Sequence, residues 1–350
     1  VCSSDLGELK YNHLIVLAPN VDEFGGDLSA SKIAQFVDNG GNILFGLDSR
    51  VTDTVRATVS EFGVETDTEE TAVIDHFNFS EDFDVEGDHT VLSYPVLDNY
   101  IDAKPFWPGG KKPTAEDKIL FSGIGMQLSA KNSLVYPVMK GSKTAYSWTP
   151  NSVVDSMPMV LGTEMTLISA LESRNNARVL VCGSFSLFSD EFAGNNEAYA
   201  LQLGLWTFQR AGVLKIEDIQ HYLSDSNPKQ SLETYTILDQ VTYSVDVYEK
   251  REDGKGYFPA KNTDIQVEFT RMDPFVRRFL TKDPKPNSAK QFMDFKLPDT
   301  YGVFKFIISY KRVGYTFLQN EITVPVRPLQ HTQYERFIVR GSEEHTSELQ

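Results

Sequence analysis

The residue best placed to act as a nucleophile is Cys182, which ends the apolar run Arg178-Val179-Leu180-Val181-Cys182 and precedes Gly183-Ser184. A strand that ends on a thiol and turns on small residues has the outline of a nucleophile elbow, whose sharp turn needs G-x-C-x-G or G-x-S-x-G. Leu180 stands where the first glycine belongs and Ser184 where the second does. No motif ties the candidate bases His76 and His89 to the thiol. A buried, inert cysteine is therefore expected over a hydrolase nucleophile, because thiol chemistry requires an accessible, stabilised thiolate. Gly40-Gly41 and Gly123-Ile124-Gly125 lack the spacing of a phosphate cradle and read as a helix stop and a loop. Near Asp75, Asn78, Asp82 and Asp84 there is no EF-hand spacing, and the histidines are isolated along the chain. No metal site and no cofactor are expected, and the acidic stretch reads as a solvated loop.

What remains is the chemistry of contact. The runs Arg271-Met272-Asp273-Pro274-Phe275-Val276-Arg277-Arg278 and 327–337 mix arginine with aromatics. That is the composition of interface hot spots, since both residue types combine a large contact area with a directional polar tip. Asp273, Phe275, Arg277, Arg327, His331, Tyr334 and Arg336 are the candidate contact residues, against the competing reading that these side chains anchor loops to their own domain. Asn78-Phe79-Ser80 is a formal N-glycosylation acceptor for a luminal chain, and Phe106, Trp107 and Trp148 offer an alternative reading as an aromatic platform for a glycan.

The 350 residues carry a net charge of −16, which repels phosphate backbones, and no basic stripe interrupts it, so nucleic acid is not an expected partner. No run of eighteen apolar residues and no signal peptide occur. The opening residues 1–6 and the closing residues 339–350 look like translated adapter sequence, which leaves Cys182 as the natural thiol and no internal disulfide.

From Tyr11 onward, short β-branched runs alternate with amphipathic ones, the pattern of an α/β layer with a largely parallel sheet. Leu14 to Pro19 reads as a buried strand. A helix capped by Ser29 or Asp27 follows, then a strand at 42–47, a helix at 52–62 and a closing helix at 198–211 whose apolar positions include Leu201, Leu205 and Phe208. The polar residues 224–231 give the strongest boundary signal. Beyond them the period becomes two, as in Val241, Tyr243, Val245, Val247 and in Phe304, Phe306, Ile308, which indicates an antiparallel β-sandwich of immunoglobulin-like type. The expected division is an α/β domain at 7–223, a linker at 224–233 and a sandwich at 234–338.

The two arginine-aromatic runs, with Asp299-Thr300-Tyr301-Gly302-Val303-Phe304 and Ser173-Arg174-Asn175-Asn176-Ala177-Arg178, resemble the family of 48 kDa subunits of oligosaccharyltransferase, the dolichyl-diphosphooligosaccharide–protein glycosyltransferase of the endoplasmic reticulum. The likeness runs from about Tyr11 to Ile338. It implies an α/β domain like that of glutamine amidotransferases, here truncated at its start, followed by the sandwich. It also implies a non-catalytic subunit, luminal and anchored in the endoplasmic reticulum membrane by a C-terminal helix that this chain lacks. The implied partners are the catalytic subunit, ribophorin-like subunits and the small defender-against-death subunit.

Overall fold

Apolar runs that can be covered on both faces decide the centre of the first half of the protein. The computed structural model describes residues 4–5 and 8–334 apart from Asp27, Thr263 and Pro286. The alternative cap Asp27, the contact candidate Arg336, Ile338 and the adapter-like residues other than Ser4 and Asp5 lie outside the described residues. By contact the chain forms two units: Val1–Val213 with Lys250–Gly256 and Arg312–Phe317, and Leu214–Glu249 with Tyr257–Lys311 and Leu318–Gln350.

The longer elements of the first unit are β1 (His13–Val16), α1 (Ala30–Asp38), β2 (Asn42–Gly46), α2 (Asp53–Ser60), β3 (Val64–Thr66), β4 (Ala72–Ile74), β5 (Leu92–Pro95), β6 (Lys118–Phe121), β7 (Met126–Leu128), β8 (Val135–Lys140), β9 (Tyr146–Trp148), β10 (Thr166–Glu172), β11 (Arg178–Cys182) and α3 (Ala193–Thr207). The main sheet runs β1-β2-β11-β10-β7-β3, with β8 also on β10. Every residue of β2 and β11 is buried, which is why both read as apolar runs behind a single polar first residue, Asn42 or Arg178. Ile43, Phe45, Val179 and Val181 face α1 and α2. Leu44, Leu180 and Cys182 face the other way, toward Leu203 and Trp206 of α3.

The sheet is mixed, not largely parallel. β1 with β2 and β2 with β11 are parallel pairs, whereas β10 pairs antiparallel with β11, β7 and β8. The reason is the connection: residues 173–177 close a tight hairpin, with Ser173 N–H donating to Ala177 O at 2.9 Å and Asn176 at φ 66°, and so short a link can only reverse the chain. β1 is also not a buried strand. It is the sheet edge, and Ile15 is 54% exposed. Ser29 caps α1, accepting from Lys32 N–H. In α3 the buried face carries Asn196 and Gln202 while Leu201 is 62% exposed, contrary to the apolar pattern. Asn196 bridges both backbone groups of Leu120 (2.9 and 2.8 Å) and Gln202 donates to Pro105 O (2.8 Å), so the polar side chains satisfy buried backbone that leucine would leave unpaired.

Arg178 is fully buried at the start of β11. Its Nη1 donates to Trp206 O (2.8 Å) and Ala211 O (2.7 Å). Its Nη2 donates to Gly212 O (3.0 Å) and Gly314 O (3.2 Å) and lies 3.4 Å from Glu172 Oε1. The guanidinium lies over the Trp206 ring at 4.8 Å, and Trp206 Nε1 also donates to Gly314 O. A side chain on Gly212 (φ 66°) would sit 2.2 Å from that same carbonyl, so the position admits no Cβ.

The second unit is built of β12 (Leu214–Leu223), β13 (Tyr235–Thr236), β14 (Gln240–Lys250), β15 (Tyr257–Pro259), β16 (Gln266–Thr270), β17 (Pro274–Phe279), β18 (Thr281–Lys282), β19 (Lys290–Lys296), β20 (Gly302–Tyr310) and β21 (Leu318–Arg327). One sheet runs β12-β14-β19-β18, with β15 also on β14; the other runs β13-β21-β20-β16-β17. The two face each other across an aromatic stack in which Phe269 meets Phe304 (4.7 Å) and Phe295 (5.3 Å), and Tyr243 meets Phe306 (4.9 Å). The polar run 224–231 lies inside this unit, between β12 and β13, while the division between units falls at Val213 and Leu214.

Removing the Arg178 charge strands several buried carbonyls at once. Arg178→Met is expected to lower stability by about 3–5 kcal/mol, the range for breaking a buried charged network, and urea unfolding of the purified chain measures it.

Candidate functional site

The cysteine is placed where its chemistry is suppressed. Cys182 is fully buried in the core beneath α3, its Sγ lies 3.1 Å from Ser184 O, and burial pushes the thiol up to about 12. The following residues do not make an elbow. A Cβ on Gly183 would stand 2.3 Å from Ile124 O, and Ser184 Oγ donates to Ser122 O at 2.7 Å, so both residues serve the close passage of two backbones. His76 and His89 pair with each other across 2.6 Å. The aromatic platform does not form either. Phe106 is buried against Trp206 at 4.8 Å and cannot join Trp107 and Trp148 on a surface.

Asn78 is half-buried, and its amide is engaged: Nδ2 donates to Asp75 Oδ2 at 2.9 Å. Asp75 is itself fully buried. It accepts from Phe77 N–H (3.0 Å), Tyr94 OH (3.0 Å), Thr144 Oγ1 (2.8 Å) and Ser142 Oγ. Burial alone would raise its pKa, but hydrogen bonds from Ser142, Asn78, Phe77 and Thr144 outweigh it and hold the carboxyl below the usual range.

The contact candidates gather at one end of the second unit's β13-β21-β20-β16-β17 sheet. β16 ends, β17 begins, β20 begins and β21 ends there, with Thr270 opposite Pro274 and Lys305, and Gly302 opposite Val326. Arg271 fastens the corner by donating to Tyr301 O at 2.9 Å, which brings the turn carrying Met272 and Asp273 beside Tyr301. Phe275 meets Phe304 edge-on at 5.4 Å yet remains 47% exposed. On the neighbouring strand Arg327 lies opposite Thr236 and 3.3 Å from Gln333 Oε1, and Gln333 folds back on Gln330, setting His331 and Tyr334 beyond the strand end. Arg277 lies further along β17, paired with Glu268 at 2.7 Å.

The most exposed large apolar side chains of this rim are residues that the sequence reading did not choose: Met272 at 89% and Tyr301 at 64%, with Val303 also exposed. One signal for Val303 was available. Phe304, Phe306 and Ile308 point inward, so the period of two turns Val303 outward, where an apolar residue needs a partner.

Residues 4–210 match the model of the "OST48, N-terminal domain" and residues 221–343 that of the "OST48 middle domain". The chain belongs to the OST48 family. It is 41% identical over 351 residues to the "Dolichyl-diphosphooligosaccharide--protein glycosyltransferase 48 kDa subunit" of Danio rerio, covering 95% of this chain and 76% of that protein. The identically named proteins of Caenorhabditis elegans and Drosophila melanogaster are each 38% identical, over 95% and 98% of this chain and 75% and 78% of theirs. The hairpin 173–178, one of the blocks that resemble this family, proves structural. Asn175 Nδ2 donates to Val37 O and Asp38 O at the end of α1, and Asn176 Oδ1 accepts from Phe317 N–H at 2.7 Å.

Two outcomes follow from the settings of Cys182 and Asp75. Iodoacetamide is expected to leave Cys182 unmodified in the folded chain at about pH 8 and to modify it in urea; peptide mapping separates it from Cys2. Asp75 has a depressed pKa, so its stabilising contribution is full above the unfolded carboxyl value of about 3.9 and is lost as pH falls through the folded value. Asp75→Asn should cost about 3 kcal/mol at neutral pH and flatten the acid limb of the urea-unfolding profile.

Proposed function

We propose that this chain is a non-catalytic supporting subunit of an oligosaccharyltransferase complex, which transfers a lipid-linked oligosaccharide to asparagine in N-X-S/T sequons. The observation that carries this reading is the likeness, over at least 95% of the chain, to proteins named as the 48 kDa subunit of that glycosyltransferase. The buried, high-pKa Cys182 agrees with it, because the one thiol placed to act as a nucleophile is withdrawn from chemistry. In this reading the catalytic site belongs to another subunit, and ribophorin-like and defender-against-death subunits are neighbours. The chain is luminal in the endoplasmic reticulum, held to the membrane by a C-terminal helix of the full-length protein. Among the described residues no helix is long and apolar enough to cross a membrane.

The rim of the second unit is the docking surface in this reading. Exposed Met272, Phe275, Tyr301 and Tyr334 supply apolar area, and Asp273, Arg277, Arg327 and His331 supply directional polar tips around it. Arg336, outside the described residues, is a further contact candidate on sequence grounds, and Asn78 is the candidate glycan acceptor. The fold assignments that accompany the reading are amidotransferase-like for the first unit and immunoglobulin-like for the second.

Full-length protein with Asp273→Ala plus Arg277→Ala, or with Tyr334→Ala, expressed in cells lacking the wild-type subunit, is expected to recover the complex roughly tenfold less well, as loss of a hot spot does. Its circular dichroism should be unchanged. Met272→Ser with Tyr301→Ser should act alike, and undiminished co-purification in all three would remove this surface as the docking site.

A further inference from the structure

Between β4 and β5 the chain makes an acidic excursion whose two ends meet through imidazoles. Residues 75–92 contain Asp75, Glu81, Asp82, Asp84, Glu86 and Asp88 and neither lysine nor arginine. His76 leaves β4 and His89 leads back to β5, and their Nδ1 atoms stand 2.6 Å apart with the ring planes at 86°. His89 is held in a left-handed conformation, φ 56°, that a residue with a Cβ seldom adopts. Its N–H donates to Asp84 Oδ2 at 2.8 Å, its carbonyl accepts from Asp75 N–H at 3.1 Å, and its ring lies on Phe79 at 4.1 Å. Backbone strain maintained by so many contacts marks a side chain whose direction matters.

The second ring is oriented as well. His76 Nε2 lies 3.0 Å from the Tyr146 hydroxyl on β9. With the proton on Nε2 and donated to that oxygen, Nδ1 turns a lone pair toward His89. A histidine whose other ring N–H is held by an oxygen acceptor is arranged as a metal ligand usually is.

We propose that His76 and His89 form a two-histidine site for a divalent transition-metal ion of the zinc class. In the metal-free pair a single proton bridges the two nitrogens; the ion takes that proton's place. Zinc–nitrogen bonds of about 2.0–2.1 Å in a tetrahedron set the nitrogens about 3.3 Å apart, so the rings need to part by less than about an ångström. Among the described residues no group of three or more His, Cys, Asp or Glu side chains forms a ligand set, so water completes the coordination and the affinity is modest. The excursion's carboxylates concentrate cations at the site without ligating them. Bound metal would fasten the two ends of the excursion together.

Isothermal titration of the purified chain with ZnCl2 tests this. One site of micromolar affinity is expected, weakened at least tenfold by His76→Gln and by His89→Asn, the latter chosen because asparagine tolerates positive φ. Tyr146→Phe should weaken it severalfold by releasing the His76 tautomer. The double variant reports any zinc taken up by His13, His221, His331 and His345, and circular dichroism without metal confirms that each variant folds. Zinc binding unchanged in both single variants, or no binding by the wild type at millimolar ZnCl2, would overturn the assignment.

Discussion

The first unit depends on one buried cation. Arg178 is surrounded by backbone carbonyls of Trp206, Ala211, Gly212 and Gly314, so the end of α3, the turn after it and the segment 312–317 take their places around a single guanidinium. Burial works against its charge and Glu172 works for it. Lysine could not replace it, because a compact ammonium has three donors and no planar fork to reach acceptors spread around a ring face. The same hairpin supplies Asn175 and Asn176, which tie the end of α1 and residue 317 to the sheet. A block that looks like a family signature is thus explained by packing rather than by chemistry.

The second unit is governed by its aromatic interior. Phe269, Phe295, Phe304, Phe306 and Tyr243 must all face inward to stack across the two sheets, and the strict alternation this imposes sends their neighbours outward. Val303 is exposed for that reason, and Tyr301 and Met272 are exposed because Arg271 draws their turns together at the sheet end. The exposed apolar side chains at that sheet end and the Cys182 thiol buried in the core of the first unit are the structural features on which the proposed supporting role rests.

Much of this was legible along the chain. The two-residue period announced the β-rich second unit, and the apolar runs at 42–47 and 178–182 announced two strands of the first unit's sheet, which the structure covers on both faces. The flanks of Cys182 already argued against an elbow. Other features misled for identifiable reasons. A hairpin of five residues reverses β10 into β11, which an α/β alternation does not reveal. Asn196 and Gln202 sit on the buried face of α3 because they bond to backbone groups more than seventy residues away in sequence. His76 and His89, thirteen residues apart, seemed isolated because only the return of the chain from β4 to β5 brings their rings together.

The sequence by itself determined where apolar strands form at 42–46 and 178–182, where the period changes and to which family the likeness points. Those properties follow from local patterns of apolar side chains and from blocks of residues read in order. Only the tertiary structure decided the direction of the strands, the gathering of Asp273, Tyr301 and Arg327 at one sheet end, and the meeting of the two histidines. Each of these is a contact between distant parts of the chain, set by turn length, strand register and the need to pair buried polar groups, and none has a signature within any short window of residues.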